Sequence, residues 1–215
     1  MSLEKYKKII PEDFTKDIEF INETIKNLKL DKNSKILDVG TGIGAMSILL
    51  ALNGFYILTG EPEVDPERDV LNHYDHHHGN NQENHHENHE EHNWEAWNDW
   101  RESAKALGVE DKIKYQNFDI QDLPFSNKIF DGIFLYDTLQ HVKNREIAIS
   151  ECLRVLKIDG IIVIIEWTKK QIEEEYKKYG YKIEFVDPRE HLIRSNILID
   201  VLEGYVVNIF LLRKK

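Results

Sequence analysis

The chain has 215 residues, of which 41% are hydrophobic and 31% are charged, and its formal net charge at neutral pH is -11. This balance indicates one soluble globular domain, and it argues against a nucleic-acid partner because phosphate binding depends on lysine and arginine. With no apolar run of the ~18 residues that span a membrane and no apolar N-terminal signal, we expect a cytoplasmic protein without a membrane partner.

The predicted elements alternate between strands and helices after an N-terminal segment. Residues 1–30 have apolar residues at helical spacing, and we expect them to form a helical lid. The domain of residues 31–215 has predicted strands at 35–39, 55–59, 112–118, 130–136, 161–167, 181–186 and 205–212. Its predicted helices are 45–53, 94–107, 145–156 and 169–179. Such alternation predicts an α/β fold, a doubly wound and mostly parallel sheet with helices on both faces.

A polar insertion at about 62–93 interrupts this domain and contains eight of the ten histidines of the chain. Imidazole is a common ligand of Zn and Ni, and helical spacing would put three of these histidines on one face. The alternative is a solvated low-complexity linker with incidental metal affinity. The candidate metal ligands are His76, His77, His78, His85, His86, His89 and His92.

Three tryptophans follow the insertion at helical spacing: Trp94, Trp97 and Trp100. Core packing against the sheet is the favoured interpretation. The alternative is that one of the first two borders a ligand site, where its ring would attract a cation.

A glycine-rich run, Asp38-Val-Gly-Thr-Gly-Ile-Gly44, follows the first predicted strand. Glycine permits positive φ and close backbone approach, and the helix that follows directs free N–H groups at a ligand. Alone, the run indicates either a nucleotide site or an ordinary strand–helix turn. Its candidate ligand-binding residues are Asp38, Gly40, Thr41, Gly42 and Gly44.

Two further acids follow the next two predicted strands. Glu61 lies 23 residues beyond Asp38, roughly the ~20-residue spacing at which a carboxylate meets ribose hydroxyls. Asp119 follows the third strand, where it can accept a hydrogen bond from an adenine amino group. Because parallel strands end at one edge of the sheet, we expect all three acids to line one ligand site.

With these features together, the chain resembles the class I methyltransferases of the small-molecule branch, which includes the ubiquinone and menaquinone methyltransferases. Residues 36–44 resemble their first motif, Glu61 their ribose-binding acid, and Asp119-Ile120 their adenine-binding turn. Residues 130–142 and 153–162 resemble two later motifs. The resemblance implies a Rossmann-like seven-stranded sheet whose last strand is antiparallel, and S-adenosyl-L-methionine as cofactor. It implies a small-molecule methyl acceptor, and Tyr136 joins the cofactor-binding residues.

Two alternatives to methyl transfer remain. One is an NAD-type oxidoreductase, whose fingerprint separates its last two glycines by two residues, whereas here one residue separates Gly42 from Gly44. The other is a metal sensor or storage protein built on a methyltransferase scaffold, in which the histidine-rich insertion carries the function.

The candidate catalytic residues follow the fourth strand: Tyr136, Asp137 and His141. Methyl transfer from a sulfonium chiefly requires alignment and exclusion of water, so a general base is needed only for an acceptor such as a hydroxyl. His141 can take such a proton, or it can be a structural histidine. Asp137 can act in the reaction or cap the short helix that follows.

Overall fold

The computed structural model describes residues 3–63, 100–180, 183–192 and 196–215. Its seven described strands form one sheet. They are β1 (Ile36–Val39), β2 (Ile57–Gly60), β3 (Ile113–Tyr115), β4 (Phe130–Tyr136), β5 (Leu156–Trp167), β6 (Ile197–Glu203) and β7 (Val207–Lys214). The strand order is β3-β2-β1-β4-β5-β7-β6. Strands β1 to β5 pair in parallel, while β7 pairs antiparallel with β5 and with β6. The predicted Rossmann-like sheet, with its antiparallel last strand, is confirmed.

The helices of the described ranges are α1 (Leu3–Lys7), α2 (Ile18–Asn27), α3 (Ala45–Leu52), α4 (Trp100–Ala106), α5 (Arg145–Val155) and α6 (Lys169–Tyr179). The side chains of Asn144 and Thr168 cap the N-termini of α5 and α6. Each accepts a backbone N–H from the first turn of its helix, at 3.1 Å in both cases. None of these helices is long and apolar enough to cross a membrane.

The sheet is covered on both faces, and the side chains of its strands alternate between two cores. One core joins Phe134, Val163 and Ile165 to apolar residues of α1 to α4. The other joins Ile133 and Ile164 to the apolar face of α5 and to loop residues. Burial of so much apolar surface on both faces leaves the carboxyl ends of the strands as the natural edge for a ligand.

The prediction for the sixth strand was wrong. Residues 183–186 form no strand, and β6 lies later, at Ile197–Glu203. Side-chain contacts hold the earlier segment instead: Val186 is buried, Glu184 pairs with Arg145, and the amine of Lys169 lies over the Phe185 ring. Strand β6 forms because it pairs with β7 across a tight connection, in which the Gly204 N–H donates to the carbonyl of Val207 at 2.9 Å.

The N-terminal segment forms two helices with a 3₁₀ turn (Glu12–Phe14) between them. Two polar contacts fix it to the domain. The hydroxyl of buried Tyr6 donates to the Ala45 carbonyl at 2.8 Å, at the start of α3. The Asp17 carboxylate accepts the N–H groups of Val206 and Val207. The segment therefore contacts both the start of α3, which follows β1, and the start of β7.

Candidate active site

A cavity of about 640 Å³ opens at the carboxyl ends of β1, β2 and β4. Most of the predicted cofactor-binding and catalytic residues line it: Gly40, Thr41, Gly42, Glu61, Asp119, Ile120, Tyr136, Asp137 and His141. Two predicted cofactor residues, Asp38 and Gly44, are not among its lining residues. The volume lies within the range of small-molecule and cofactor sites, roughly 300–1,000 Å³.

The glycine turn between β1 and α3 forms one wall of this cavity. Gly42, at φ +44°, donates its N–H to Glu61 Oε2 at 3.0 Å, and a Cβ there would project into open space. Gly44, at φ +77°, packs instead against α4, where a Cβ would lie 2.6 Å from the Cβ of Trp100. Gly42 therefore keeps the cavity wall free of a side chain, and Gly44 permits the close packing of α3 against α4.

Asp38 supports this turn from below. Its side chain is 1% exposed and accepts hydrogen bonds from the hydroxyls of Ser47 and, at 3.2 Å, Thr59. Burial raises the pKa of Asp38 to about 7, against the opposing effect of the two hydroxyl donors. Its role in the fold is to tie β1 to α3 and to β2.

The two other predicted acids both line the cavity. Glu61 follows β2, and its carboxylate reaches across to the N–H of Gly42. Asp119 lies in a turn after β3, where its Oδ1 accepts the N–H of Gln121 at 2.8 Å. Ile120, beside it, is buried at the cavity wall. Two of the three acids expected at one ligand site thus line the cavity: Glu61 directly follows β2, and Asp119 lies four residues beyond the end of β3.

The segment after β4 forms the opposite wall. Asp137 adopts φ +54°, a region that residues other than glycine seldom occupy. Its carboxyl accepts a hydrogen bond from the side-chain amide of Gln140, and burial raises its pKa to about 7. Asp137 does not cap the 3₁₀ turn (Leu139–His141), because Thr138 occupies the cap position. A carboxyl that titrates near neutral pH on a cavity wall is suited to proton transfer.

Tyr136 and His141 border the same wall. The Tyr136 ring meets the ring of Phe14 edge to face, with centroids 5.6 Å apart, and Phe14 also lines the cavity. His141 ends the 3₁₀ turn and is exposed at the cavity. The N-terminal segment therefore contributes a side chain to the site beside the candidate catalytic residues.

Sequence reasoning missed Glu166, a buried acid near the end of β5. It is 3% exposed, and its Oε1 accepts the N–H of Leu139 at 3.0 Å. Burial, and then the nearby charge of Asp137, raise the pKa of Glu166 to about 8. The available signal was a single carboxylate in the otherwise apolar run of residues 161–167, since buried acids are rare unless they are hydrogen-bonded.

The cavity suits an adenosyl cofactor on structural grounds. The open space at Gly42 permits close approach of a ligand to the backbone. Glu61 offers a carboxylate for ribose hydroxyls, and Asp119 offers one for an adenine amino group. The residues present thus fit S-adenosyl-L-methionine.

The histidines predicted as metal ligands, from His76 to His92, lie outside the described residues, as do Trp94 and Trp97. In the described ranges, no group of three or more histidine, cysteine, aspartate or glutamate residues could hold a metal ion. The Zn or Ni site therefore stays a prediction. Trp100 is buried and stacks on Tyr115, with ring centroids 6.4 Å apart, which confirms core packing for that residue.

The chain has relatives among known methyltransferases. Residues 37–164 match the family described as methyltransferase domain. The ubiquinone/menaquinone biosynthesis C-methyltransferase UbiE of Saccharophagus degradans is 39% identical over 79 residues, which cover 35% of this chain and 32% of that protein. The sterol 24-C-methyltransferase of Candida albicans is 26% identical over 164 residues, covering 74% of this chain and 36% of that protein. The chain thus spans about a third of the length of these curated relatives.

Solved structures share the fold at low sequence identity. The PH0226 protein of Pyrococcus horikoshii superposes with a TM-score of 0.61 at 16% identity, covering 100% of both chains. Geranyl diphosphate methyltransferase in complex with S-adenosylmethionine has a TM-score of 0.56 at 10% identity, covering 91% of this chain and 83% of that one. At these identities the likeness concerns the fold alone.

Proposed function

The chain belongs to the methyltransferase domain family, and on that premise we propose that it is an S-adenosyl-L-methionine-dependent methyltransferase that acts on a small molecule. The observation that carries the proposal is one cavity with two unlike walls. The glycine turn and Glu61 form one wall, and Tyr136, Asp137 and His141 border the other. A cofactor held on the first wall would present its reactive end toward the second.

The cofactor-binding roles divide along the strand ends. Gly40, Thr41 and Gly42 admit the ligand close to the backbone at the start of α3. Glu61 binds the ribose hydroxyls, and Asp119 with Ile120 holds the adenine ring by a hydrogen bond and an apolar contact. Asp38 does not line the cavity but fixes the glycine turn by accepting hydrogen bonds from the hydroxyls of Ser47 and Thr59.

When bound, S-adenosyl-L-methionine supplies a sulfonium methyl group to a nucleophile aligned with the carbon–sulfur bond. The chain's own contribution is alignment and the exclusion of water. Phe14 and Tyr136 pack edge to face at the cavity, and we propose that residues 3–27 form the lid that closes over the acceptor. This lid consists of the described helices within residues 1–30, the segment for which the sequence predicts a helical lid.

Asp137 is the first candidate for the general base that removes a proton from an acceptor hydroxyl, and His141 is the second. Asp137 lies on the cavity wall with its pKa raised by burial to about 7, so it is in part ionised at neutral pH and can accept a proton there. Tyr136 borders this position and shapes it. An acceptor that is already a good nucleophile would need alignment alone.

A thermal unfolding experiment distinguishes an S-adenosylmethionine-dependent methyltransferase from an NAD-dependent oxidoreductase. S-adenosylhomocysteine or NAD is added at increasing concentration, and the unfolding midpoint is followed. A ligand at 100 times its Kd stabilises the native state by about 2.7 kcal/mol. We expect the midpoint to rise with S-adenosylhomocysteine and not with NAD. A rise with NAD alone would contradict the proposal.

A further inference from the structure

The backbone of Leu139 is hydrogen-bonded at both its N–H and its carbonyl by side chains from other elements. Its N–H donates to Glu166 Oε1 at 3.0 Å, and its carbonyl accepts from Arg145 Nε at 2.8 Å. Leu139 is fully buried and begins the 3₁₀ turn Leu139–His141. These two bonds, which we call the Leu139 clamp, therefore fix the turn relative to β5 and α5.

The clamp is anchored at its outer end by an ion pair. The two terminal nitrogens of Arg145 donate to the two carboxylate oxygens of Glu184, at 2.9 and 2.6 Å. Such a bidentate pair restricts the guanidinium more tightly than a single contact would. The side chain of Arg145 is 15% exposed and that of Glu184 is 62% exposed, so the chain of contacts runs from the interior to the surface.

Neither clamp residue lines the cavity, but residues two positions away on each side of Leu139 do. Asp137 and His141 both border the cavity, whereas Glu166 and Arg145 are absent from its lining. Asp137 is held at φ +54°, a conformation that needs support from its surroundings. The contacts at Leu139 are suited to provide it.

The Glu166 end of the Leu139 clamp is sensitive to pH, because Glu166 and its neighbour Asp137 can both ionise. Asp137 and Arg145 are the charged groups that act on Glu166. Glu184 and Glu166 act on Arg145, and His191 acts on Glu184. The pKa values of Asp137 and Glu166 are raised to about 7 and about 8, chiefly by burial. Ionisation of both carboxyls puts two like charges into one poorly solvated space, which disfavours the arrangement.

We propose that Glu166 and Arg145 are positioning residues of the candidate active site, because they clamp the Leu139 backbone at its N–H and its carbonyl and so hold Asp137 and His141 against the cavity. The inference rests on the proposed function and deepens it, since it assigns the site two residues that would touch neither cofactor nor acceptor. Loss of the clamp releases the segment between Tyr136 and His141 without removing any residue that would touch the cofactor.

The test measures affinity for S-adenosylhomocysteine by calorimetry between pH 6.5 and 9, in wild type and in two variants. Glu166→Gln keeps an oxygen that accepts the Leu139 N–H but removes the second ionisation. We expect affinity within about threefold of wild type at pH 6.5 and little decline at higher pH, whereas wild-type affinity falls above pH 8. Glu166→Ala removes the acceptor, and we expect about tenfold weaker binding throughout.

Glu151→Gln is the matched control. Glu151 also accepts a backbone N–H, that of Leu123 at 3.0 Å, and pairs with Arg154, but it does not line the cavity. We expect this variant to keep the wild-type pH profile. A Glu166→Gln variant that declines with pH as wild type does, or a Glu166→Ala variant that binds as wild type does, would overturn the proposal.

Hydrogen exchange of the Leu139 amide gives a readout that needs no ligand. We expect it to be protected in wild type and in Glu166→Gln, and to exchange at least tenfold faster in Glu166→Ala. Equal exchange in all three would overturn the clamp. Protection in the expected pattern, together with no binding of S-adenosylhomocysteine, would support the clamp as a structural device and overturn the proposed function alone.

Discussion

The two walls of the cavity are built in different ways. In the glycine wall, residues 38–44 with Glu61, the positive φ angles of the glycines determine the shape of the turn. The buried acid Asp38 of this wall accepts hydrogen bonds from two hydroxyls. In the loop wall, residues 136–141, side chains from β5 and α5 hold the backbone of Leu139, and the buried acid Glu166 accepts its N–H. Each wall thus rests on a buried carboxyl that does not line the cavity. The first wall follows from a local motif, and the second depends on contacts between distant parts of the chain.

The largest expected loss of stability at a fixed pH comes from Gly60→Ala, which crowds the residue directly before Glu61 of the glycine wall. A Cβ at Gly60, the last residue of β2, would lie 1.8 Å from the carbonyl oxygen of Gln116 and 2.6 Å from the Phe118 ring. The strand and the turn that carries Asp119 must move apart, which we expect to cost about 3 kcal/mol or more of unfolding free energy. Urea unfolding measures this loss.

Gly180→Ala is the control for that substitution. Gly180 has φ +77° at the end of α6, and a Cβ there would meet nothing within 4 Å. We expect a cost of about 1 kcal/mol, from backbone strain alone. If the two variants lose equal stability, close packing at Gly60 is not what supports the glycine wall.

The sequence was most informative where structure is local. The run 36–44 predicts a strand, a turn and a helix start because glycine itself determines the turn, and these elements are confirmed. Asp38 was predicted at the ligand site, but it lies beneath the turn, since a motif identifies a residue without showing which side it faces.

Elements that depend on distant partners were harder to predict. Residues 181–186 have the composition of a strand, but ion-pair and cation–π contacts hold the described part of this segment outside the sheet. Strand β6 is an edge strand whose formation depends on pairing with β7. Glu166 was missed because its partner, the Leu139 peptide, lies 27 residues away in the chain.

A pH-dependent effect is expected from Asp38→Asn, which tests the buried carboxyl of the glycine wall. The folded-state pKa of Asp38 is raised to about 7, so between about pH 4 and pH 7 the native state holds a proton that the unfolded chain releases. This group's stabilising contribution is therefore complete at low pH and is lost as the pH rises through 7. We expect Asp38→Asn to remove a slope of about 1.4 kcal/mol per pH unit from the unfolding free energy in that window.

Asp131→Asn serves as the control, because the pKa of Asp131 is shifted in the opposite direction to that of Asp38. Partial burial raises the pKa of Asp131, but the hydrogen bonds from Lys157 and from the Lys35 N–H, together with the charges of the two lysines, outweigh it and lower the pKa overall. Its contribution is present above the unfolded pKa and is lost as the pH falls below about 4. If both variants keep the wild-type slope between pH 4.5 and 7, the buried carboxyl of Asp38 does not have the raised pKa described above.

A smaller effect is expected where the two walls meet. The one proton of the Thr138 hydroxyl is shared between the carbonyls of Val39, at 2.9 Å, and Tyr136, at 3.1 Å, and the shorter bond joins β1 to the loop wall. Thr138→Val keeps the shape and removes these bonds, and we expect it to cost about 1 kcal/mol and to weaken cofactor binding.

Thr15→Val gives the comparison for Thr138→Val. The Thr15 hydroxyl donates to the Glu12 carbonyl at 3.0 Å, and Thr15 does not line the cavity. We expect a similar loss of stability and unchanged affinity for S-adenosylhomocysteine. Equal affinities in the two variants would indicate that the walls are not coupled through Thr138.

The measurement that most directly tests the account is calorimetric titration of S-adenosylhomocysteine into wild type, Glu61→Gln and Glu23→Gln. Glu61 lines the cavity, whereas Glu23 forms an exposed pair with Lys26 on α2. Loss of charged hydrogen bonds to the ribose predicts binding about 10 to 100 times weaker in Glu61→Gln, with Glu23→Gln equal to wild type. Absence of binding to wild type, or equal affinity in all three proteins, would contradict the assignment of this cavity as the cofactor site.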